Sequence, residues 1–253
     1  PITYTMLTNE SGGIVDDTLV YKIDDENLFI VANGSRREQD LNHLKQQAKK
    51  FQVTIQPRDE MILALQGPKS DKFLPPLKFH TFIEKEGLVI ASSGYTGEKG
   101  YEVFGPKEKL VPLWKEWIAK GVKPCGLEVR DILRLEMGYA LYGHELSEQL
   151  RPSETVAKFV VKDKDYLGKS DEAPRYFPAA LIVNQGVPRE GYKIQKDNVE
   201  VGTVTSGGYS PALKKGIALA LLNRPYNTGE KMQIKIRESL QDAVITTLPF
   251  LKK

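Results

Sequence analysis

The last third of the chain constrains the fold most, because it is a series of short apolar segments separated by glycine turns. From residue 179 onward these segments are "AALIVN", "GYKI", "VEVGTVTSGGYS", "GIALALL", "KMQIKI" and "AVITTLPF". Short strands at regular spacing with turn signals between them are typical of a small all-β barrel or sandwich. We therefore predict an all-β domain over residues 176–253, with barrel and sandwich both open at this point.

The chain before this domain mixes strands with helices. Three apolar runs broken by turn residues predict strands in the first 34 residues, and "VTIQ", "MILALQG" and "LVIASS" predict further strands. Ser35 and Glu38 have the spacing of a capping box at the start of a helix. The apolar residues of that helix recur on one face at Leu41, Leu44, Ala48 and Phe51. The fold class predicted for this part is α+β.

Two more helices follow. The segment "EKLVPLWKEWIAKG" is predicted to end with Gly121 just beyond its last turn. In "GLEVRDILRLEMG", Arg130 and Arg134 are four residues apart, so both guanidinium groups are predicted to project from one side. The apolar face of the same helix comprises Leu127, Ile132, Leu133, Leu135 and Met137. Residues 163–175 are charged and irregular, which indicates a linker.

The segment "SGYTGEKGYEVF", residues 93–104, contains two glutamates with different expected surroundings. It is predicted to be a hairpin, because Gly97 and Gly100 flank a turn that needs a permissive backbone. Glu98 falls in the turn and is expected to be solvated. Glu102 falls on the outgoing strand, on the same face as Phe104. A carboxylate beside a large aromatic ring needs a partner, since burying it unpaired is costly.

Composition excludes several classes of function. The 253 residues are 40% hydrophobic and 27% charged, as in ordinary globular proteins. No apolar run approaches the roughly 18 residues of a membrane helix, so no membrane association is predicted. The three histidines and the single Cys125 lack metal-ligand spacing, so no metal is predicted. A net charge of +3 without a recognised motif argues against nucleic-acid binding.

Charge is nevertheless uneven along the chain. From Tyr176 to the end there are 11 Lys+Arg against 6 Asp+Glu, a net charge of +5. Such a region can meet an acidic partner or a polyanionic ligand, or it can be a solvated surface.

Several stretches together resemble the aminomethyltransferase of the glycine cleavage system (the T-protein) and its folate-binding relatives. The stretches are "LTNESGGIVDDTLVYKI", "LFIVANGSRREQDL", "ALQGP", "GYTGEKGYEV", "CGLEVRDILRLEMGYALYGHEL", "GTVTSGGYSPALKKGIALALL" and the closing "LPF". The resemblance is collinear and covers nearly the whole chain. It implies a cloverleaf around a folate pocket, made of two α+β domains that exchange segments and a C-terminal β-barrel. The implied boundaries are 1–58 with 131–170, then 59–130, then 176–253.

The resemblance also implies the residues of a folate site. The family's pterin-binding glutamate falls on Glu102, and one carboxylate can accept from the adjacent ring N–H and amino group of a pterin. The other implied folate-site residues are Asn9, Tyr95, Arg130, Tyr139 and Phe159, the last standing where the family commonly has tryptophan. Tetrahydrofolate is the implied co-substrate, and the lipoylated H-protein the implied partner. The implied location is the cytoplasm, or the mitochondrial matrix if the source is eukaryotic.

One departure from the family bears on activity. Relative to the family pattern, roughly the first quarter is absent, and the family's catalytic aspartate lies there, so no catalytic residue is identified. We expect a separate N-terminal segment or subunit to complete the fold, or a full-length precursor that once did, and the chain alone to be inactive or nearly so. Two functions therefore stay open. One is tetrahydrofolate-dependent aminomethyl transfer, and the other is a T-like folate-binding or partner-binding protein, or one piece of a divided enzyme.

Overall fold

A computed structural model describes residues 1–252, and it is a mixed α/β structure that ends in a closed β-barrel. The described chain divides into two compact units, each built from two segments. The first unit comprises Pro1–Thr5 and Thr18–Arg130, and the second comprises Met6–Asp17 and the chain from Asp131 onward. The three-domain boundaries expected from the sequence stay a prediction.

Seven strands precede the barrel, in two sheets, and the four-stranded sheet is antiparallel throughout. A three-stranded sheet has the order β1-β2-β3, and a four-stranded sheet has the order β4-β7-β6-β5. The strands are β1 (Ile2–Thr8), β2 (Ile14–Lys22), β3 (Leu28–Val31), β4 (Met61–Gln66), β5 (Phe82–Lys85), β6 (Leu88–Ala91) and β7 (Gly100–Gly105). The strands predicted in the first 34 residues are confirmed, as are those in "MILALQG" and "LVIASS".

The central strand β7 is buried on both faces, and the alternation of its side chains explains why. Tyr101 and Val103 pack into one apolar cluster with Leu65 and Trp117. Phe104 packs on the opposite side into a second cluster, which contains Tyr21, Val89 and Ala91. A strand with apolar residues on both faces is stable only between two layers. Strand alternation puts Glu102 on the same face of β7 as Phe104, as predicted.

Three α-helices are present in the described chain: α1 (Arg37–Ala48), α2 (Lys107–Ala119) and α3 (Leu127–Glu136). All three were predicted, but the capping box before α1 is wrong. Ser35 lies inside a 3-10 turn, Gly34–Arg36, and no side chain caps the helix that follows. The apolar face of α1 is only half-buried, and Phe51, beyond its end, is exposed.

The ends of the other two helices follow local rules more closely. Gly121 lies just past α2 with φ +88°, the left-handed geometry that favours glycine. In α3, Leu135 is fully buried, whereas Leu127 is 83% exposed, so the apolar face begins later than predicted.

Six antiparallel strands close into the C-terminal barrel, in the order β10-β11-β8-β13-β12-β9. They are β8 (Phe177–Val183), β9 (Lys193–Lys196), β10 (Val199–Ser210), β11 (Lys215–Leu222), β12 (Lys231–Ile236) and β13 (Ser239–Thr246). Side chains such as Leu181, Ile194 and Val204 alternate into its interior. The barrel alternative is thereby confirmed over the sandwich.

Two other segments differ from expectation or refine it. Residues 53–56, predicted as a strand, pair with no strand in the described chain, and Val53 is 60% exposed. Without a neighbouring strand, β-propensity alone does not form a sheet. Residues 163–175 contain neither helix nor strand, as expected of a linker, but Arg175 anchors the end of this segment to the buried Glu154.

Candidate functional site

The loop between β6 and β7 is held by one side chain, that of Gln66 at the end of β4. Its Nε2 donates to the carbonyl oxygens of Ser93 (3.1 Å) and Tyr101 (3.2 Å). Its Oε1 accepts from the Thr96 hydroxyl at 3.1 Å. Gly100 lies so close that a Cβ there would be 2.3 Å from Oε1. The amide therefore fixes both ends of the loop against β4.

This geometry differs from the sequence prediction in the role of Gly100 and in the burial of Glu98. Gly97 has φ +68°, as a turn requires, whereas Gly100 is needed for the close approach of Gln66. Glu98 lies in the loop as predicted, but it is half-buried, and its N–H donates to the Thr96 hydroxyl at 3.3 Å. The expectation of a solvated Glu98 is therefore wrong in degree.

Glu102 lies where strand alternation predicted it. Its backbone is opposite Ala64 on β4 and Ala91 on β6. The carboxylate is partly buried, and Ser93 Oγ donates a hydrogen bond to Oε2 at 2.6 Å. Ser93 is itself 2% exposed. The partner that the sequence required for this carboxylate is thus a neutral hydroxyl in the same unit.

The electrostatics of Glu102 are those of a carboxylate with incomplete compensation. Burial raises its pKa above the ordinary value, and this effect exceeds the two that oppose it. The opposing effects are the hydrogen bond from Ser93 and the positive charge of Arg130. A carboxylate in this state gains from any ligand that donates hydrogen bonds to it.

Arg130 and Tyr95 form the second half of the site in the first unit. The Arg130 guanidinium lies over the Tyr95 ring, 4.4 Å from its centroid, which is a cation–π contact. The structure therefore brings together three predicted site residues, Tyr95, Glu102 and Arg130. A carboxylate, a cation and an aromatic ring side by side can bind a planar heterocycle that carries N–H donors and a negatively charged substituent.

The other three predicted residues, Asn9, Tyr139 and Phe159, belong to the second unit. Asn9 Oδ1 accepts from the backbone N–H groups of Ser11 (3.0 Å) and Gly13 (2.8 Å), which defines a local turn. Its amide nitrogen has no partner in the described chain and is the group that could meet a ligand. Tyr139 is half-buried, and burial raises the pKa of its hydroxyl. Phe159 is 68% exposed, on the 3-10 turn Lys158–Val160.

Arg134 differs from Arg130 more than their helical spacing predicted. Arg130 is exposed, but Arg134 is fully buried in the second unit. Its guanidinium donates to Asp131 (2.7 Å), to Glu145 (3.0 Å) and to the carbonyl oxygen of Tyr139 (3.1 Å). These contacts make Arg134 a structural residue that holds the segment bearing Tyr139.

Ser93 is the site residue that sequence reasoning missed. A signal was present, because Ser93 is two residues beyond Ala91, which is opposite Glu102. Strand alternation therefore puts Ser93 on the same face as Glu102. The sequence could not show that the strand geometry continues past the end of β6.

A separate cleft of about 670 Å³ runs along β10 in the second unit. His144, Tyr176 and Glu190 are among its lining residues, and His144 Nδ1 lies 3.1 Å from the Thr205 carbonyl oxygen. None of the six predicted site residues lines this cleft.

Within residues 1–252, no group of His, Cys, Asp and Glu side chains could hold a metal ion. In the same part of the chain, no helix combines the length and apolar character needed to cross a membrane.

Comparison with known proteins identifies the protein family to which the chain is similar. The GCVT N-terminal domain matches residues 1–165, and the glycine cleavage T-protein C-terminal barrel domain matches residues 179–252. An aminomethyltransferase of Thermosipho melanesiensis is 36% identical, over 99% of this chain and 76% of that protein. One from Thermus thermophilus is 39% identical, over 98% of this chain and 76% of that protein.

A solved structure gives the same result at the level of the fold. The glycine cleavage system aminomethyltransferase T of Bartonella henselae superposes with a TM-score of 0.93 at 26% identity, covering 99% of this chain and 76% of that one. The chain belongs to the aminomethyltransferase (T-protein) family of the glycine cleavage system.

Proposed function

We propose that the protein is a tetrahydrofolate-dependent aminomethyltransferase. It would take the methylene from an aminomethyl group on the lipoyl arm of the H-protein and transfer it to tetrahydrofolate. The C–S and C–N bonds of the aminomethyl group break, and two new C–N bonds form to folate nitrogens. The two folate N–H protons go to the lipoyl sulfur and to the amine, which leaves as ammonia. Family membership supports this reaction class.

The observation that supports the folate part of the proposal is that Ser93 and Arg130 only partly offset the burial of the Glu102 carboxylate. A pterin presents a ring N–H and an amino group on one edge, and both can donate to a single carboxylate. Burial without a cationic partner in hydrogen-bond contact prepares Glu102 for such donors. The ring of Tyr95 offers an aromatic face, and Arg130 offers a positive charge for a folate carboxylate or carbonyl.

The three residues of the second unit enter the proposal through the resemblance. Asn9 would meet the pterin side with its amide, and Tyr139 and Phe159 would line the pocket with their rings. No side chain of the 253 residues is assigned the family's catalytic aspartate, so folate binding is the property to test first.

The experiment is isothermal titration of tetrahydrofolate into the chain and into Glu102→Gln. The amide keeps the shape of the carboxylate but replaces one acceptor with a donor, so two N–H donors of the ligand lose their common acceptor. We expect a loss of about 2–4 kcal/mol, roughly 30- to 1000-fold in affinity. Glu98→Ala is the matched control, because this glutamate lies in the loop just before the strand that bears Glu102. Its expected change is below about 0.5 kcal/mol.

Two results would contradict this assignment. An unchanged dissociation constant for Glu102→Gln removes the residue from the site. Loss of binding in the Glu98 variant alone would show that the neighbouring carboxylate reads the ligand. A chain that binds folate but does not transfer the methylene in the presence of lipoylated H-protein would support folate binding without catalysis.

A further inference from the structure

We propose that Ser93 is a positioning residue for folate recognition, because its buried hydroxyl holds Oε2 of Glu102 and thereby fixes the carboxylate that meets the ligand. This inference rests on the proposed function and adds to it a residue that the family resemblance did not supply.

The hydroxyl of Ser93 has little freedom to move. The residue is 2% exposed and lies two residues beyond the end of β6, and Gln66 Nε2 donates to its carbonyl oxygen at 3.1 Å. The Oγ–Oε2 distance of 2.6 Å is that of a strong hydrogen bond to a charged acceptor. Since the backbone of Ser93 is fixed from one side by Gln66, its side chain can fix Glu102 on the other.

This single contact leaves Glu102 available to a ligand. An ionised carboxylate has about four acceptor positions on its two oxygens. Ser93 occupies one position on Oε2, and the carboxylate of Glu102 accepts no other hydrogen bond in the described chain. Oε1 and the second position of Oε2 therefore remain, and two adjacent donors on one ligand edge need two acceptor positions. Ser93 restricts the rotation of the carboxylate without using the positions that recognition needs.

Ser93 also influences the charge of Glu102. Burial favours the protonated acid, and the Ser93 hydrogen bond is the larger of the two effects that favour the carboxylate. The charged and titratable groups that act on this pair are Arg130 from α3 and Tyr21 from β2. The Tyr21 hydroxyl approaches Ser93 without completing a hydrogen bond of ordinary geometry within the described residues. A protonated Glu102 would present a donor to the donors of the ligand, so recognition requires the ionised form.

The test combines folate binding with titration of Glu102. Tetrahydrofolate affinity is measured by calorimetry from about pH 5.5 to 8.5 for the wild-type chain, Ser93→Ala, Ser93→Thr and Ser92→Ala. Ser92 is the matched control, because it is a neighbouring buried serine that alternation places on the other face. In the ligand-free chain, ¹³C NMR of the glutamate carboxyl carbons follows Glu102, with Glu102→Gln to assign its signal. Far-UV circular dichroism checks that each variant is folded.

We expect Ser93→Ala to weaken folate binding about tenfold at pH 8, as loss of one charged hydrogen bond implies. Its binding should also fail at a higher pH than that of the wild type, and the carbon signal of Glu102 should titrate at a correspondingly higher pH. Ser93→Thr, which retains the hydroxyl, should restore most of the affinity, and Ser92→Ala should match the wild type.

Three outcomes would overturn the inference. Ser93→Ala could bind folate as the wild type does at every pH. It could bind more weakly by the same factor at every pH, with Glu102 titrating unchanged, which would mean a packing role only. A wild-type chain that binds no tetrahydrofolate would refute the proposed function, and the role of Ser93 in folate recognition with it. In that case, the carbon titration separately reports whether Ser93 controls Glu102.

Discussion

Replacing Glu154 by glutamine is expected to destabilise the second unit in a pH-dependent way. The Glu154 side chain is fully buried. Its carboxylate accepts from the backbone N–H groups of Arg151 (2.9 Å) and Arg175 (2.8 Å) and from both guanidinium groups at 2.8–3.0 Å. The glutamine variant keeps the shape, but it removes the charge between two arginines and replaces one acceptor with a donor.

The size of the effect follows from the pKa of Glu154. Burial alone would raise this pKa, but the hydrogen bonds from Arg175 and Arg151 lower it to about 2, against an ordinary value of 4.5. The difference of about 2.5 pKa units corresponds to about 3 kcal/mol of stability at neutral pH. Because the folded-state pKa is depressed, this stability is complete well above pH 4.5 and is lost as the pH falls toward 2. The free energy of unfolding of the wild type should therefore exceed that of the variant by about 3 kcal/mol at pH 7 and by about 1.4 kcal/mol at pH 3.

The assay must report the second unit. Both tryptophans, Trp114 and Trp117, lie in α2 of the first unit, so their fluorescence reports the other part of the chain. Urea denaturation is therefore monitored by hydrogen exchange and mass spectrometry of residues 149–176, which reports the unfolding of the segment around Glu154. Glu172→Gln is the control, because Glu172 is 83% exposed and makes only a long contact with Arg151 Nη1, at 3.4 Å. This substitution should lower the stability by less than about 0.5 kcal/mol. A penalty for Glu154→Gln that is the same at pH 7 and pH 3 would refute the reasoning.

Two further predictions concern the loop and the partner. Gly100→Ala should lower the stability measured by urea denaturation by about 1–3 kcal/mol and weaken folate binding, because a Cβ would displace the Gln66 amide. The control is Gly34→Ala, whose Cβ would meet open space and should cost little stability. Equal effects of the two substitutions would contradict this prediction. Association with lipoylated H-protein should weaken steeply with salt, since the region from Tyr176 onward carries a net charge of +5 and charge attraction is screened within about 10 Å at 0.1 M. Binding that is equally tight at low and high salt, measured by surface plasmon resonance, would argue against this basic region as the dock.

Much of the architecture was predictable because it depends on local patterns. Alternation and glycine turns predicted all six barrel strands, and each pairs with neighbours that bury its apolar face. The same alternation placed Glu102 on the Phe104 face. Family resemblance then selected the three residues that the first unit brings together, Tyr95, Glu102 and Arg130.

What failed depended on the geometry of one local turn or on contacts far apart in sequence. The Ser35–Glu38 spacing is that of a capping box, but a 3-10 turn places Ser35 inside the turn instead of at the helix start. Residues 53–56 have strand-forming side chains, but no strand lies beside them in the described chain to accept their hydrogen bonds. Gln66 could not be identified as the residue that fixes the loop, because it is 27 residues from Ser93 and 35 from Tyr101.

Three buried or partly buried carboxylates show why Glu102 is the one assigned to a ligand. Glu154 accepts hydrogen bonds from two arginines and two backbone N–H groups, and its pKa is lowered. Glu145 is bound by Arg134, by the Thr205 hydroxyl and by the N–H of Leu141. Both are satisfied by the protein, so a ligand would have to displace existing bonds. The carboxylate of Glu102 accepts one hydrogen bond, from Ser93, and its pKa is raised. A buried carboxylate left short of donors is costly to stability, and a ligand that supplies the missing donors repays that cost as binding energy.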